Sequence, residues 1–214
     1  ALNEPGQHVS GDYYDVIETS DGLIWCLVAD VTGEGVAASL LTANLQAAVR
    51  MTIVEESHPS ELMQRWNNLI CRNTDATKFI TCILMAIDML KRTVTCASAG
   101  HFGPVIMQDA DAPPAELPME PSYPLGVVEN TTFPSTTFEI GPSQVKLLLY
   151  SDGVVEAMNE QTLPFGHDLM IRTLAESVDH QPAEIVKTLR KAISQFVGAA
   201  KQSDDITIMA IDIS

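Results

Sequence analysis

The sequence predicts an α+β fold: two layers of mainly antiparallel sheet, a β-sandwich, flanked by helices. Three observations carry this reading. Apolar runs rich in β-branched residues recur at strand length, and hairpin-length turns separate several of them. Helical periodicity then comes in pairs of segments, where strict alternation with strands would have called for a parallel sheet.

In chain order, 13–17 and 23–29 read as strands, joined by Ser20-Asp21-Gly22, a connection short enough to force antiparallel pairing. From Val36 to about Val54, Ala, Leu and Met recur at three- and four-residue spacing, which predicts a helix. A second helix follows over 59–72, with Pro59 suited to its first turn. Strands return at 79–88 and 93–98 around Lys91-Arg92, and again at 104–107. The stretch 108–124 contains five prolines and reads as an irregular surface excursion. After a strand at 145–150, two helices fit 167–177 and 182–197, the latter opened by Pro182 with Glu184 in its first turn. A strand at 206–213 closes the chain, and no internal repeat is visible.

With 214 residues, 46% of them hydrophobic and 19% charged, the chain can bury one substantial core, so one compact domain over 1–214 is expected. Because it starts at Ala1, the domain is expected to be cut from a longer protein whose regulatory neighbours lie outside it. The net charge of −16, from 28 acidic and 12 basic residues, argues against nucleic acid and anionic membrane as partners. No apolar stretch has bilayer length and no basic-plus-apolar leader opens the chain. Cys26, Cys71, Cys82 and Cys96 form no Cys-x-x-Cys pair and read as reduced thiols, which suits a cytoplasmic protein.

Four short segments place an Asp at the end or flank of an apolar strand. They are Ser10-Gly11-Asp12-Tyr13-Tyr14-Asp15, Ala29-Asp30-Val31-Thr32-Gly33-Glu34-Gly35, Tyr150-Ser151-Asp152-Gly153, and Ser203-Asp204-Asp205-Ile206-Thr207. A strand end holds a carboxylate rigidly while pointing it outward, and a nearby Gly lets backbone carbonyls approach an ion. Carboxylates without His or Cys partners favour Mg²⁺ or Mn²⁺ over Zn²⁺. Two such ions suit hydrolysis of a phosphoester. Any one of these segments alone is ordinary turn chemistry; the weight lies in the set of four.

In this order, the segments resemble the stage II sporulation protein E branch of the protein phosphatase 2C superfamily. The likeness extends through Ala97-Ser98-Ala99-Gly100-His101, Pro124-Leu125-Gly126, Tyr150-Ser151-Asp152-Gly153-Val154-Val155-Glu156-Ala157, Phe165-Gly166 and Asp204-Asp205-Ile206-Thr207, running from about Gly11 to the C-terminus. It implies a protein phosphatase 2C-like β-sandwich, two Mn²⁺ or Mg²⁺ ions, and hydrolysis of phosphoserine or phosphothreonine in a protein. Asp30 would bridge the ions, Asp12 and the Val31 carbonyl would serve one, and Asp152 and Asp204 the other. Asp205 competes with Asp204, since a slip of one residue exchanges strand faces. Asp15, Gly153 and His101 are candidates for substrate contact or for support behind the ligands. For His101, proton donation to the leaving oxygen stands beside a plain role in orienting its turn. Glu34 departs from the family, which often carries a basic residue in that loop. His167-Asp168 has no supporting His cluster and reads as coincidence.

Other phosphatase and nucleotide chemistries lack their signatures: no Cys is followed by Arg six residues on, and no P-loop or Gly-x-Ser-x-Gly elbow occurs. The resemblance implies a phosphoprotein substrate of the anti-anti-sigma type and an upstream regulatory or sensor domain, and it leaves a homodimer open. The helix beginning at Val36 is tied to the Asp30 loop, so a partner pressing on it could gate the ions. The competing reading is an inactive module that binds a sigma factor or adaptor, for which loss of one of the four aspartates would be the mark; all four are present.

Overall fold

Two five-stranded antiparallel sheets face each other, each covered on its outer face by a pair of helices, in a computed structural model that describes residues 1–6, 10–33, 35–54, 58–74, 77–108, 112–141 and 144–213. The elements in order are β1 (Leu2–Glu4), β2 (Tyr13–Glu18), β3 (Leu23–Val31), α1 (Val36–Thr52), α2 (Pro59–Asn73), β4 (Ile80–Asp88), β5 (Thr93–Ala99), β6 (Val105–Met107), β7 (Ala115–Glu116), β8 (Ser135–Glu139), β9 (Val145–Tyr150), α3 (Gly166–Ala175), α4 (Pro182–Val197) and β10 (Ile206–Ile213). A single 3-10 turn at Asp152–Val154 follows β9. One sheet runs β1-β10-β9-β6-β7 and the other β2-β3-β4-β5-β8. The expected hairpins are present, with β2 paired to β3 and β4 to β5 in antiparallel register.

The near-continuous apolar run of β3 follows from its position. Trp25, Leu27, Ala29 and Val31 face α1 and α2, while Cys26 and Val28 face the opposite sheet, so both faces are buried. β2 lies at the sheet edge and alternates strictly between buried and exposed. On the other side Leu148, Tyr150, Ile206 and Ile208 pack against α3 and α4, and Leu147, Leu149 and Met209 complete the core between the sheets. Burying each large apolar side chain contributes roughly 1.5–3 kcal/mol. Trp66, fully buried on α2, also donates its indole N–H to the Thr52 hydroxyl at 2.9 Å and so ties the two helices together.

Three strands were not expected. β1 has three residues and β7 two, the latter inside the 108–124 stretch read as irregular. β8, Ser-Thr-Thr-Phe-Glu, is a polar edge strand with too few apolar residues to stand out. Cys26, Cys82 and Cys96 are buried and Cys71 is half-buried, all as free thiols.

Candidate metal centre

Asp12 immediately precedes β2, Asp30 is the penultimate residue of β3, Asp152 opens the 3-10 turn after β9, and Asp204 and Asp205 lead into β10. Pleat alternation puts Asp30 on the same face as Cys26 and Val28, toward the opposite sheet, with Thr81 as its cross-strand neighbour on β4. Asp12 meets the hydroxyls of Ser151 and Thr207, which belong to that opposite sheet. The carboxylates therefore converge at one mouth of the sandwich.

Glycines let the backbones close on that mouth. A Cβ on Gly11 would lie 3.1 Å from the Val31 carbonyl oxygen and 3.7 Å from an Asp205 carboxylate oxygen. At Gly153 a Cβ would fall 1.9 Å from the Asp205 carbonyl oxygen and 3.4 Å from Asp204 Cβ, so the turn carrying Asp152 touches the start of β10 directly.

Burial and mutual repulsion raise the acids. Asp12, 6% exposed, is pushed up to about 8, first by burial and then by Asp30 and Asp205, against the lowering effect of the Thr207 and Ser151 hydroxyls. Asp30 rises to about 7 through burial and the charges of Asp152, Asp204 and Asp205. Asp152 rises to about 6 through burial, Asp204 and Glu156. Among the described residues no N–H or hydroxyl donor reaches the buried Asp12 Oδ2, and the Asp12 carboxyl stands within hydrogen-bonding reach of Asp30.

Asp205 differs from the others. Its Oδ1 accepts from the Gly6 amide at 2.6 Å, and its Oδ2 accepts from the Ser10 hydroxyl at 2.9 Å, the Gly11 amide at 2.5 Å and the Asp12 amide at 3.4 Å. Both oxygens thus fasten the segment leading to Asp12. Asp204 Oδ1 accepts the Asp205 amide at 2.8 Å. The Ser151 amide donates to the Thr207 carbonyl at 3.0 Å and the Ser151 hydroxyl accepts from the Thr207 amide at 2.9 Å, locking Asp152 beside β10.

His101 links the two sheets. Its Nε2 lies 3.0 Å from the Tyr150 carbonyl oxygen, which can only accept, so Nε2 carries the proton. Nδ1 then accepts from the Thr81 hydroxyl at 2.8 Å. Burial pushes this imidazole down to about 4, which keeps it neutral. A neutral ring with both nitrogens occupied orients its neighbours, Thr81 beside Asp30 and Tyr150 ahead of Asp152, and has no proton in position to give a leaving group.

Asp15 lies on the helix-facing side of β2, where it accepts from the Tyr13 hydroxyl at 2.6 Å and from Arg50 of α1 at 2.5 and 2.7 Å. It braces β2 against α1 and is not brought to the cluster. Glu34 is outside the described residues. Sequence reasoning quoted Ser151 and Thr207 inside motifs without assigning them a part; hydroxyls flanking two of the aspartates were the available signal.

The donor set fits hard cations. It is entirely carboxylate and carbonyl oxygen, and it includes a buried Asp12 oxygen that no N–H or hydroxyl among the described residues reaches. Among the described residues no three His, Cys, Asp or Glu side chains already stand at ion-holding spacing.

The stage II sporulation protein E (SpoIIE) family profile matches residues 20–214. Phosphoserine phosphatase RsbU of Bacillus subtilis (strain 168) is 26% identical over 211 residues, an alignment covering 99% of this chain and 62% of RsbU. The SiaA-PP2C domain of Pseudomonas aeruginosa superposes with a TM-score of 0.85 at 21% identity, covering 98% of this chain and 83% of that one. The PP2C phosphatase domain of SpoIIE from Bacillus subtilis superposes with a TM-score of 0.79 at 17% identity, covering 96% of this chain and 59% of that one. A match over more than nine-tenths of the chain, on a sandwich of the same architecture, makes this protein a member of the stage II sporulation protein E family with the PP2C fold.

Proposed function

We propose that the chain is a metal-dependent serine/threonine phosphoprotein phosphatase. The observation that carries this reading is the convergence of Asp12, Asp30, Asp152 and Asp204 at the mouth between the sheets. Asp30, in electrostatic contact with Asp152, Asp204 and Asp205, would be shared between two Mn²⁺ or Mg²⁺ ions, with Asp12 and the Val31 carbonyl available to one and Asp152 and Asp204 to the other. Asp204 takes precedence over Asp205, because both Asp205 oxygens are committed to the 6–12 segment. When bound, such a pair supplies an acidified water and positive charge for in-line displacement at phosphorus.

This chain's own residues prepare that chemistry. Asp12 and Asp30 hold protons near neutral pH that a bound cation would displace. Asp205, Ser151 and Thr207 fix the backbone on either side of Asp12 and Asp152. His101 holds Tyr150 and Thr81 without changing charge.

The substrate is a phosphorylated Ser or Thr on a bacterial regulator of the anti-anti-sigma type, a reading supported by likeness to a phosphoserine phosphatase. Since the chain spans 62% of RsbU, a further regulatory or sensor domain belongs to the same proposal. Among the described residues no helix is long and apolar enough to cross a membrane. Purified protein with Mn²⁺ or Mg²⁺ should release phosphate from a phosphoserine peptide and from p-nitrophenyl phosphate. Release no greater than that of Asp30→Ala under every metal condition would leave the inactive binding module as the better reading.

A further inference from the structure

Beyond the last formal pair of β3 and β4, Val31 with Ile80, the two chains stay zipped. The Thr32 amide donates to the Phe79 carbonyl, the Phe79 amide donates to the Thr32 hydroxyl, and that hydroxyl donates back to the Phe79 carbonyl, each at 3.0 Å. Continued register brings Lys78 opposite Gly33. There the backbone is left-handed, with φ at 94°, and a Cβ would fall 2.8 Å from the Lys78 ammonium. The lysine therefore lies across the bend of the loop that carries Asp30 and Val31, and Gly33 leaves it room to do so.

Arg50 is held by Asp15, Arg190 by Glu4, and Lys146 donates to the Val178 carbonyl. Lys78 is half-buried, and among the described residues no ion pair or hydrogen bond occupies its ammonium. A lysine that reaches a phosphate from this position breaks no existing pair. Meanwhile the charges acting most strongly on Asp12, Asp30 and Asp152 are all carboxylates, in a protein of net charge −16. With cations bound at the mouth, a compact ammonium with three donors on a flexible four-carbon stem is suited to take a phosphoryl oxygen that the ions leave free.

We propose that Lys78 is a substrate-binding residue of this site, its ammonium leaving the Gly33 bend to take a phosphoryl oxygen of the phosphorylated side chain. The inference rests on the phosphatase reading above and adds to it a phosphate-gripping cation from β4's leading end, outside the acidic loop.

The test is calorimetric titration of inorganic phosphate into the Mg²⁺-loaded wild type, Lys78→Met and Lys78→Arg. Lys78→Met should bind phosphate about tenfold more weakly, Lys78→Arg within about threefold of wild type, and Mg²⁺ affinity should be the same in all three. With a phosphoserine peptide, Lys78→Met should raise KM by a similar factor and leave kcat within about threefold. Equal phosphate affinity in wild type and Lys78→Met, or none in the wild type, overturns the assignment. A melting temperature for Lys78→Met matching the wild type guards against misfolding as the cause. Failure of the phosphatase reading shows separately, as absence of wild-type turnover above the Asp30→Ala background.

Discussion

Asp12 bears the largest electrostatic cost in the site. It is buried and raised to about 8, and among the described residues no N–H or hydroxyl reaches one of its oxygens. Replacing it with Asn removes the ionisable group while keeping its shape, so metal-free Asp12→Asn should melt higher than metal-free wild type at pH 8, by roughly 2–5 °C. The same variant should lose the stabilisation that Mn²⁺ gives the wild type, because the amide supplies a weaker ligand. Thermal melts with chelator and with Mn²⁺ check both halves. His101 makes the opposite case, a titratable group kept uncharged by its surroundings. His101→Ala leaves the Thr81 hydroxyl and the Tyr150 carbonyl short of a partner and should cost about 1–3 kcal/mol in denaturant unfolding. Whatever turnover survives in His101→Gln should keep the wild-type pH profile; loss of one limb would return His101 to the role of proton donor. The placement of the four aspartates next to strand ends was legible in the sequence, because each flanks an apolar run. The division of labour between Asp204 and Asp205 was not, since it depends on which of two adjacent side chains the Gly6 and Gly11 amides reach across the sheet boundary.

At the scale of elements, the site depends on backbones that touch. The 3-10 turn at Asp152–Val154 lies against the start of β10 with no room for a side chain, since a Cβ at Gly153 would fall 1.9 Å from the Asp205 carbonyl oxygen. Gly153→Ala must separate the two and should destabilise the fold by more than about 2 kcal/mol, with Mn²⁺ binding weakened even where the variant is folded. Calorimetry and denaturant unfolding on that single variant measure the two effects. The strands that build this junction, β3, β4, β9 and β10, were legible because burial on both faces gives them long apolar runs. β1, β7 and β8 were not, being two to five residues long and either polar or tied to the sheet only by distant pairings. Lys78 carried no sequence signal; only the register beyond Val31 and Ile80 sets it over Gly33.

For the whole molecule, the raised acids make stability depend on pH in a defined sense. Asp12, Asp30 and Asp152 hold protons to about 8, 7 and 6, whereas in the unfolded chain they lose them near 3.8. The folded state therefore binds more protons across that window, and its stability falls as pH rises through it. His101 acts in the other direction: held near 4 against an ordinary 6.5, it lowers stability as pH falls below about 6.5. Above that pH only the carboxylates remain, so the metal-free protein should melt several degrees lower at pH 8.5 than at pH 6.5, and saturating Mg²⁺ should flatten or reverse the slope. The measurement that reaches furthest is calorimetric titration of Mn²⁺ into wild type, Asp30→Ala and Asp152→Ala at pH 7 in two buffers of different ionisation enthalpy. The wild type should take up two ions with net release of protons from Asp12 and Asp30, Asp30→Ala should lose affinity at both sites by tenfold or more, and Asp152→Ala at one. Mn²⁺ binding that is absent from the wild type, or unchanged in Asp30→Ala, would contradict a metal centre at the mouth of the sandwich.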